Sequence, residues 1–101
     1  MEKRTIKLIA TLTTENGEPI PGAEIYFYMK RRQETQYRLI GKSKTDSNGK
    51  ATLETQVEAP ETYDFKAVFR GTEIYAPSQD TVQNYIVKGK VLLDITVKIA
   101  K

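Results

Sequence analysis

The side chains that could perform chemistry in this sequence are carboxylates, hydroxyls and tyrosines, because it contains no histidine and no cysteine. Histidine is the commonest general base and metal ligand, and cysteine supplies thiolates and disulfides. Ser43, Ser47 and Ser78 therefore have no histidine to activate them as nucleophiles. The acidic residues are scattered over positions that we predict to face solvent. We expect no catalytic residue and no cofactor, and we predict that the protein is not an enzyme.

One acidic segment, Asp46-Ser47-Asn48-Gly49, has the composition of half a calcium-binding loop. A complete loop needs a further acidic residue at the correct offset, and among the six residues after Gly49 only Glu54 is acidic. The Asn-Gly pair favours a tight turn, because glycine readily adopts positive φ. We therefore interpret the segment as a turn between two strands and expect no metal.

A second candidate site combines tyrosines with the basic triplet that follows them. Tyr26 and Tyr28 alternate with apolar residues, so we predict that they point away from the core. Exposed aromatic rows bind sugars or partner proteins, whereas the ordinary alternative is cross-strand pairing of tyrosines with lysine and arginine stems. Both interpretations stay open. The possible partner-binding residues are Tyr26, Tyr28, Arg31 and Arg32.

These residues belong to a stretch, residues 16–28, in which a turn rich in glycine and proline leads directly into an alternating run. Pro19 and Pro21 fix φ and forbid a helix, and the alternation beyond them has the period of a strand. One predicted face carries Ala23, Ile25, Phe27 and Met29, and the other carries Glu24, Tyr26, Tyr28 and Lys30.

Alternating polarity recurs along the chain, and no segment has the spacing of an amphipathic helix. We predict strands over residues 4–13, 23–30, 37–45, 50–57, 62–70, 80–87 and 91–99. The cleanest alternation places Tyr63, Phe65, Ala67 and Phe69 in the core. About seven strands at roughly 8–15-residue spacing are typical of an all-β sandwich, and an open barrel is the alternative.

Three local features refine this prediction. Gly41 marks a bulge or a bend within its strand. Lys88-Gly89 has the form of a two-residue hairpin connection. Ile74 and Tyr75, in the loop over residues 71–78, are expected to fold back as a lid on the core.

Length and charge are those of one soluble domain. The 101 residues suffice for a single core, and sixteen basic against thirteen acidic residues leave a net charge of +3. Such mixed charge does not form the concentrated basic stripe of a nucleic-acid-binding protein. The first residues, Met1-Glu2-Lys3-Arg4, do not resemble a signal peptide, and no run approaches the ~20 apolar residues of a membrane helix. We expect a domain of a larger protein rather than a free cytoplasmic one.

Three motifs in this order are similar to those of a known family. They are NGEPIPGAEIYF at residues 16–27, TDSNGKA at 45–51 and YDFKAVFRGTEIYAPS at 63–78. Together they resemble the bacterial and archaeal immunoglobulin-like (Big-type) repeat domains of cell-surface proteins, and the resemblance covers roughly residues 5–87. It implies an immunoglobulin-like β-sandwich of about seven antiparallel strands with Greek-key connections.

The resemblance also implies a function and a location. Such modules serve as stalks, adhesin spacers or accessory domains of cell-surface and secreted proteins, and the family has no common catalytic residues. We therefore expect a non-enzymatic spacer, extracellular or at the cell surface, whose partners are neighbouring domains of the same chain. A sandwich suits this role, because its two ends can lie apart and pass load along the chain.

Alternatives to the spacer follow from the same residues. The first is a protein- or carbohydrate-binding module that uses the Tyr26/Tyr28 face, and the second is assembly through the edge of residues 91–99. For the spacer itself we expect a monomer, with no nucleic-acid partner and no direct insertion into a membrane. We predict a single domain over residues 1–101, in which 91–101 form either its last strand or the start of a following repeat, since 91–99 resembles the first strand.

Overall fold

The computed structural model describes residues 2–87 and 91–99, which form seven strands and no helix. Two sheets pack face to face, with strand orders β4-β1-β7 and β3-β2-β5-β6. The all-β sandwich is thereby confirmed. The strands are β1 (Glu2–Thr14), β2 (Glu24–Arg31), β3 (Arg38–Lys44), β4 (Lys50–Ala59), β5 (Glu61–Phe69), β6 (Ser78–Val87) and β7 (Val91–Ile99).

Strand β1 is the centre of the three-stranded sheet. It pairs antiparallel with β4 and parallel with β7, in a register that runs from Ile6 opposite Val91 to Thr14 opposite Ile99. The expectation of exclusively antiparallel strands is wrong at this one pair. The physical reason is that β6 lies in the other sheet, so the chain crosses between the sheets before β7 and returns in the direction of β1.

The core lies between the sheets and follows the predicted alternation. Ile6, Leu8, Ala10 and Leu12 of β1 are fully buried. They face the predicted inner residues of the second sheet, which are also buried: Ala23, Ile25, Phe27, Met29, Tyr63, Phe65, Ala67 and Phe69. The aromatic members contribute most, because each fully buried large side chain stabilises the fold by about 1.5–3 kcal/mol.

The local predictions had mixed outcomes. The register between β2 and β3 shifts so that Phe27 faces Gly41 while Tyr28 faces Leu39, which confirms the bulge. A side chain at Gly41 would lie 2.9 Å from Leu53, so this strand packs closely on the core.

Two further predictions concern the loop over residues 71–78 and the connection between β6 and β7. Tyr75 packs against the core, but Ile74 is 69% exposed, so the lid prediction is wrong for Ile74. The hairpin predicted at Lys88-Gly89 lies outside the described residues. The strands on either side of it, β6 and β7, belong to different sheets rather than forming a hairpin pair.

Candidate functional site

The two turn motifs of the sequence meet at one end of the sandwich. We call this cluster the turn junction and define it as Leu12, Pro19, Ile20, Ala23, Thr45 and Gly49. The buried hydroxyl of Thr45 donates to the Ile20 carbonyl at 2.7 Å and accepts from the Ala23 N–H at 2.8 Å. It thereby satisfies a donor and an acceptor that could not reach water.

Gly49 closes the same junction. Its carbonyl accepts from the Leu12 N–H at 2.8 Å, and its φ is +76°. A Cβ at this position would lie 2.6 Å from the Leu12 carbonyl oxygen, inside van der Waals contact. Only glycine fits here, for both conformational and steric reasons.

Asp46 organises the turn between β3 and β4. Its Oδ1 accepts from the backbone N–H groups of Asn48 at 2.8 Å and Lys50 at 3.0 Å. The bond from Lys50, followed by that from Asn48, lowers the pKa of Asp46 below its ordinary value. The segment forms the predicted turn between β3 and β4, closed by the bond from the Gly49 N–H to the Asp46 carbonyl at 2.9 Å.

The tyrosines of the other candidate lie on the outer face of the four-stranded sheet, in a chain of contacts that we call the tyrosine–cation row. The row consists of Tyr37, Lys66, Tyr28, Arg70, Tyr26 and Lys42. The Lys66 ammonium lies 4.5 Å from the ring centroid of Tyr37 and 5.0 Å from that of Tyr28. Tyrosine and cation alternate along its whole length.

The second half of the row centres on Arg70. Its guanidinium carbon lies 3.6 Å from the ring centroid of Tyr26, and it donates to the Tyr28 hydroxyl at 3.3 Å. That hydrogen bond, ahead of smaller electrostatic contributions, raises the pKa of Arg70. Lys42 ends the row 5.9 Å from the Tyr26 ring and pairs with Glu24 at 2.8 Å, which lowers the pKa of that carboxylate.

A buried ion pair borders the row beneath Tyr37. The Lys30 ammonium lies 2.9 Å from an Asp64 carboxylate oxygen, and both side chains are largely buried. Lys30 also donates to the Glu34 carbonyl at 3.0 Å, so it holds the turn after β2 against the sheet. Burial, and secondarily the Asp64 charge, raises the pKa of Tyr37. Lys30 therefore links β5 and the turn after β2 at the end of the row where Tyr37 lies.

The structure separates the four residues predicted as one binding surface. Tyr26 and Tyr28 lie together in the row, but Arg31 has the opposite strand parity and faces the other sheet. There it pairs with Glu58 at 3.1 Å and borders a cavity of about 190 Å³ lined also by Lys3, Met29, Val57 and Tyr63. Arg32 is exposed in the turn after β2, where its N–H donates to the Thr62 carbonyl.

The cations that do accompany the tyrosines are Lys42, Lys66 and Arg70, and sequence reasoning missed them as site residues. Alternation alone places Lys66 and Arg70 on the outer face of β5. Alternation does not predict the strand register, which places Lys66 opposite Tyr28 and Lys42 opposite Tyr26. Because β5 and β2 are far apart in the sequence, no short motif predicts that they pair.

Comparisons with known proteins add no family and no relative. A scan against known protein families finds no match for this chain, and a search of curated proteins finds none that matches it. The resemblance to immunoglobulin-like repeats therefore rests on the three sequence motifs. Within the described ranges, no three residues of the types that bind metals are grouped, and no helix is long and apolar enough to cross a membrane.

Proposed function

We propose that this chain is a non-enzymatic, immunoglobulin-like structural module that carries tension within a larger cell-surface or secreted protein. The observation that supports it is the parallel pairing of β1 with β7. Because the two strands run in the same direction, the chain enters the sandwich at one end of its long dimension and leaves it at the other. The molecule extends 44 × 26 × 20 Å, so such modules in series would form an elongated stalk.

The same pairing is suited to bearing load. The two strands match at nine successive residue pairs, from Ile6 and Val91 to Thr14 and Ile99. Force applied through the two ends of the domain pulls the strands past each other along their length. The interstrand hydrogen bonds are then loaded together, whereas a pair pulled apart from one end breaks its bonds one after another.

Single-molecule force spectroscopy tests this proposal by comparing two pulling directions. In the first, the domain is pulled through β1 at its start and through β7 at its end. In the second, it is pulled from a unique cysteine, Glu15→Cys, and from the same end of β7. Glu15 is exposed and follows β1, and the natural chain has no cysteine to interfere.

We expect a several-fold higher rupture force in the first direction, because only there is the β1–β7 ladder sheared. Thermal unfolding of Glu15→Cys without load serves as the control and should match that of the parent chain. Equal forces in the two directions would show that β1–β7 is not the load-bearing element, and the tension-bearing role would fail.

A second candidate function, the binding of a protein or a glycan, is favoured by the tyrosine–cation row. Among the described residues, no carboxylate lies within ion-pair distance of Lys66 or Arg70. These two charges remain available to an external partner.

A further inference from the structure

We propose that the tyrosine–cation row is a binding site for acidic polysaccharide chains, which it holds through their carboxylate or sulfate groups. The juxtaposition that carries this inference is that of Lys66 and Arg70, which both contact Tyr28 while no carboxylate of the described residues lies within ion-pair distance of either. This role is independent of load bearing, so either can fail without the other.

The face as a whole is positive. Strand register places four cations, Lys30, Lys42, Lys44 and Lys66, and two carboxylates, Glu24 and Asp64, on the described outer face of β2, β3 and β5. Arg70, directly after β5, adds a fifth cation through its contacts with Tyr26 and Tyr28. Both carboxylates are occupied, because Asp64 pairs with Lys30 and Glu24 with Lys42. The remaining positive charge therefore attracts anions from solution.

The row also holds these cations in position. A lysine or arginine side chain on a surface normally loses rotamer freedom when it pairs with an anion, and this loss makes exposed ion pairs weak. Contact with the Tyr28, Tyr26 and Tyr37 rings restricts Lys66 and Arg70 before any ligand arrives. Because a ring attracts a cation without neutralising it, the charge of the cation can still attract an anionic ligand.

The surroundings favour a polysaccharide over other polyanions. Single-stranded nucleic acids bind by stacking bases on aromatic rings, but here a cation already lies over each of the three rings. The core of a protein–protein interface is apolar and depleted of lysine, whereas this face carries several lysines and, among the described positions, Leu39 as its exposed large apolar residue. The β6 margin instead carries exposed Gln79, Thr81 and Gln83, which suit sugar hydroxyls.

The experiment is an NMR titration of the whole chain with three polymers that share one backbone. Carboxymethyl-dextran and dextran sulfate carry acidic groups, and neutral dextran carries none. We expect either acidic polymer to bind and neutral dextran not to bind, with the largest shifts at Tyr28, Lys66 and Arg70. Binding should weaken as salt is added, since exposed charges are screened.

A pair of double variants supplies the matched control. Lys66→Gln with Arg70→Gln should lower the affinity roughly tenfold, because each exposed charge pair contributes up to about fivefold. Lys7→Gln with Lys50→Gln removes the same charge from exposed positions on the three-stranded sheet and should change the affinity little. Thermal unfolding of all variants establishes that they are folded.

Four results would overturn the proposal. They are no binding of either acidic polymer, the largest shifts away from the row, equal loss of affinity in the two double variants, and tighter binding of poly-glutamate or oligo-dT than of the acidic dextrans. The last two would identify a bulk charge effect and a different class of partner, respectively.

Discussion

The turn junction and the tyrosine–cation row differ in what their side chains contact. In the junction, the Thr45 hydroxyl satisfies backbone groups of Ile20 and Ala23, and the Gly49 carbonyl satisfies the Leu12 N–H of β1. In the row, side chains contact other side chains at the surface. The difference teaches that the buried polar contacts of the turn motifs hold the fold together, whereas the row is assembled at the surface from residues that lie far apart in the chain.

The sharpest test of this comparison is Gly49→Ala. Positive φ and a backbone oxygen 2.6 Å from the new Cβ act together, so we expect a loss of at least about 3 kcal/mol in the free energy of unfolding. Gly17→Ala is the matched control. Gly17 also has positive φ, +85°, but nothing lies within 4 Å of its Cβ position, so only about 1–2 kcal/mol should be lost. If denaturant titration gave equal losses for the two variants, the close contact with the Leu12 carbonyl oxygen would not contribute to the effect.

A smaller effect is expected from Thr45→Val, which keeps the shape of the side chain and removes its hydroxyl. The Ala23 N–H and the Ile20 carbonyl would lose their buried partner, at roughly 2–3 kcal/mol. Thr45→Ser retains the hydroxyl and loses one methyl group, so about 1 kcal/mol should be lost. If valine were tolerated better than serine in chemical denaturation, the hydrogen bonds would not be what stabilises the junction.

The smallest effect is expected in the row. The Lys66→Gln and Arg70→Gln double variant should lose less free energy of unfolding than Thr45→Val, because its cation–π contacts and the Arg70–Tyr28 hydrogen bond lie at the surface, where water screens them. The measurement is the thermal unfolding of this double variant, compared with that of the Lys7→Gln and Lys50→Gln control. A loss greater than that of Thr45→Val would make the row a structural element like the junction, and the contrast between the two regions would disappear.

Much of the fold could be predicted from the sequence, because strand periodicity is a local property. The alternation of Tyr63, Phe65, Ala67 and Phe69 correctly predicts the buried face of β5. The same rule could have excluded Arg31 from the tyrosine face, since Arg31 is an odd number of residues from both Tyr26 and Tyr28. It faces Glu58 of the other sheet instead.

Pairing and direction could not be predicted, because they depend on residues far apart in the chain. Periodicity assigns β7 an inner face but does not say which strand it joins or in which sense. For the same reason, the contacts of Lys66 with Tyr28 and of Arg70 with Tyr26 could not be predicted from the sequence alone. The candidate site is therefore less predictable than the core that supports it.

The parallel β1–β7 pair also has a consequence for synthesis on the ribosome. Ile6 cannot meet Val91 until nearly the whole domain has been translated, although β1 is made first. The four-stranded sheet needs only residues 24–87 and can assemble earlier, while β1 has β4 as its single neighbour and one open edge. Pairings this distant in sequence are slow to close, and an open edge promotes aggregation meanwhile. The strand pair proposed to resist force is thus the last to be completed as the chain emerges.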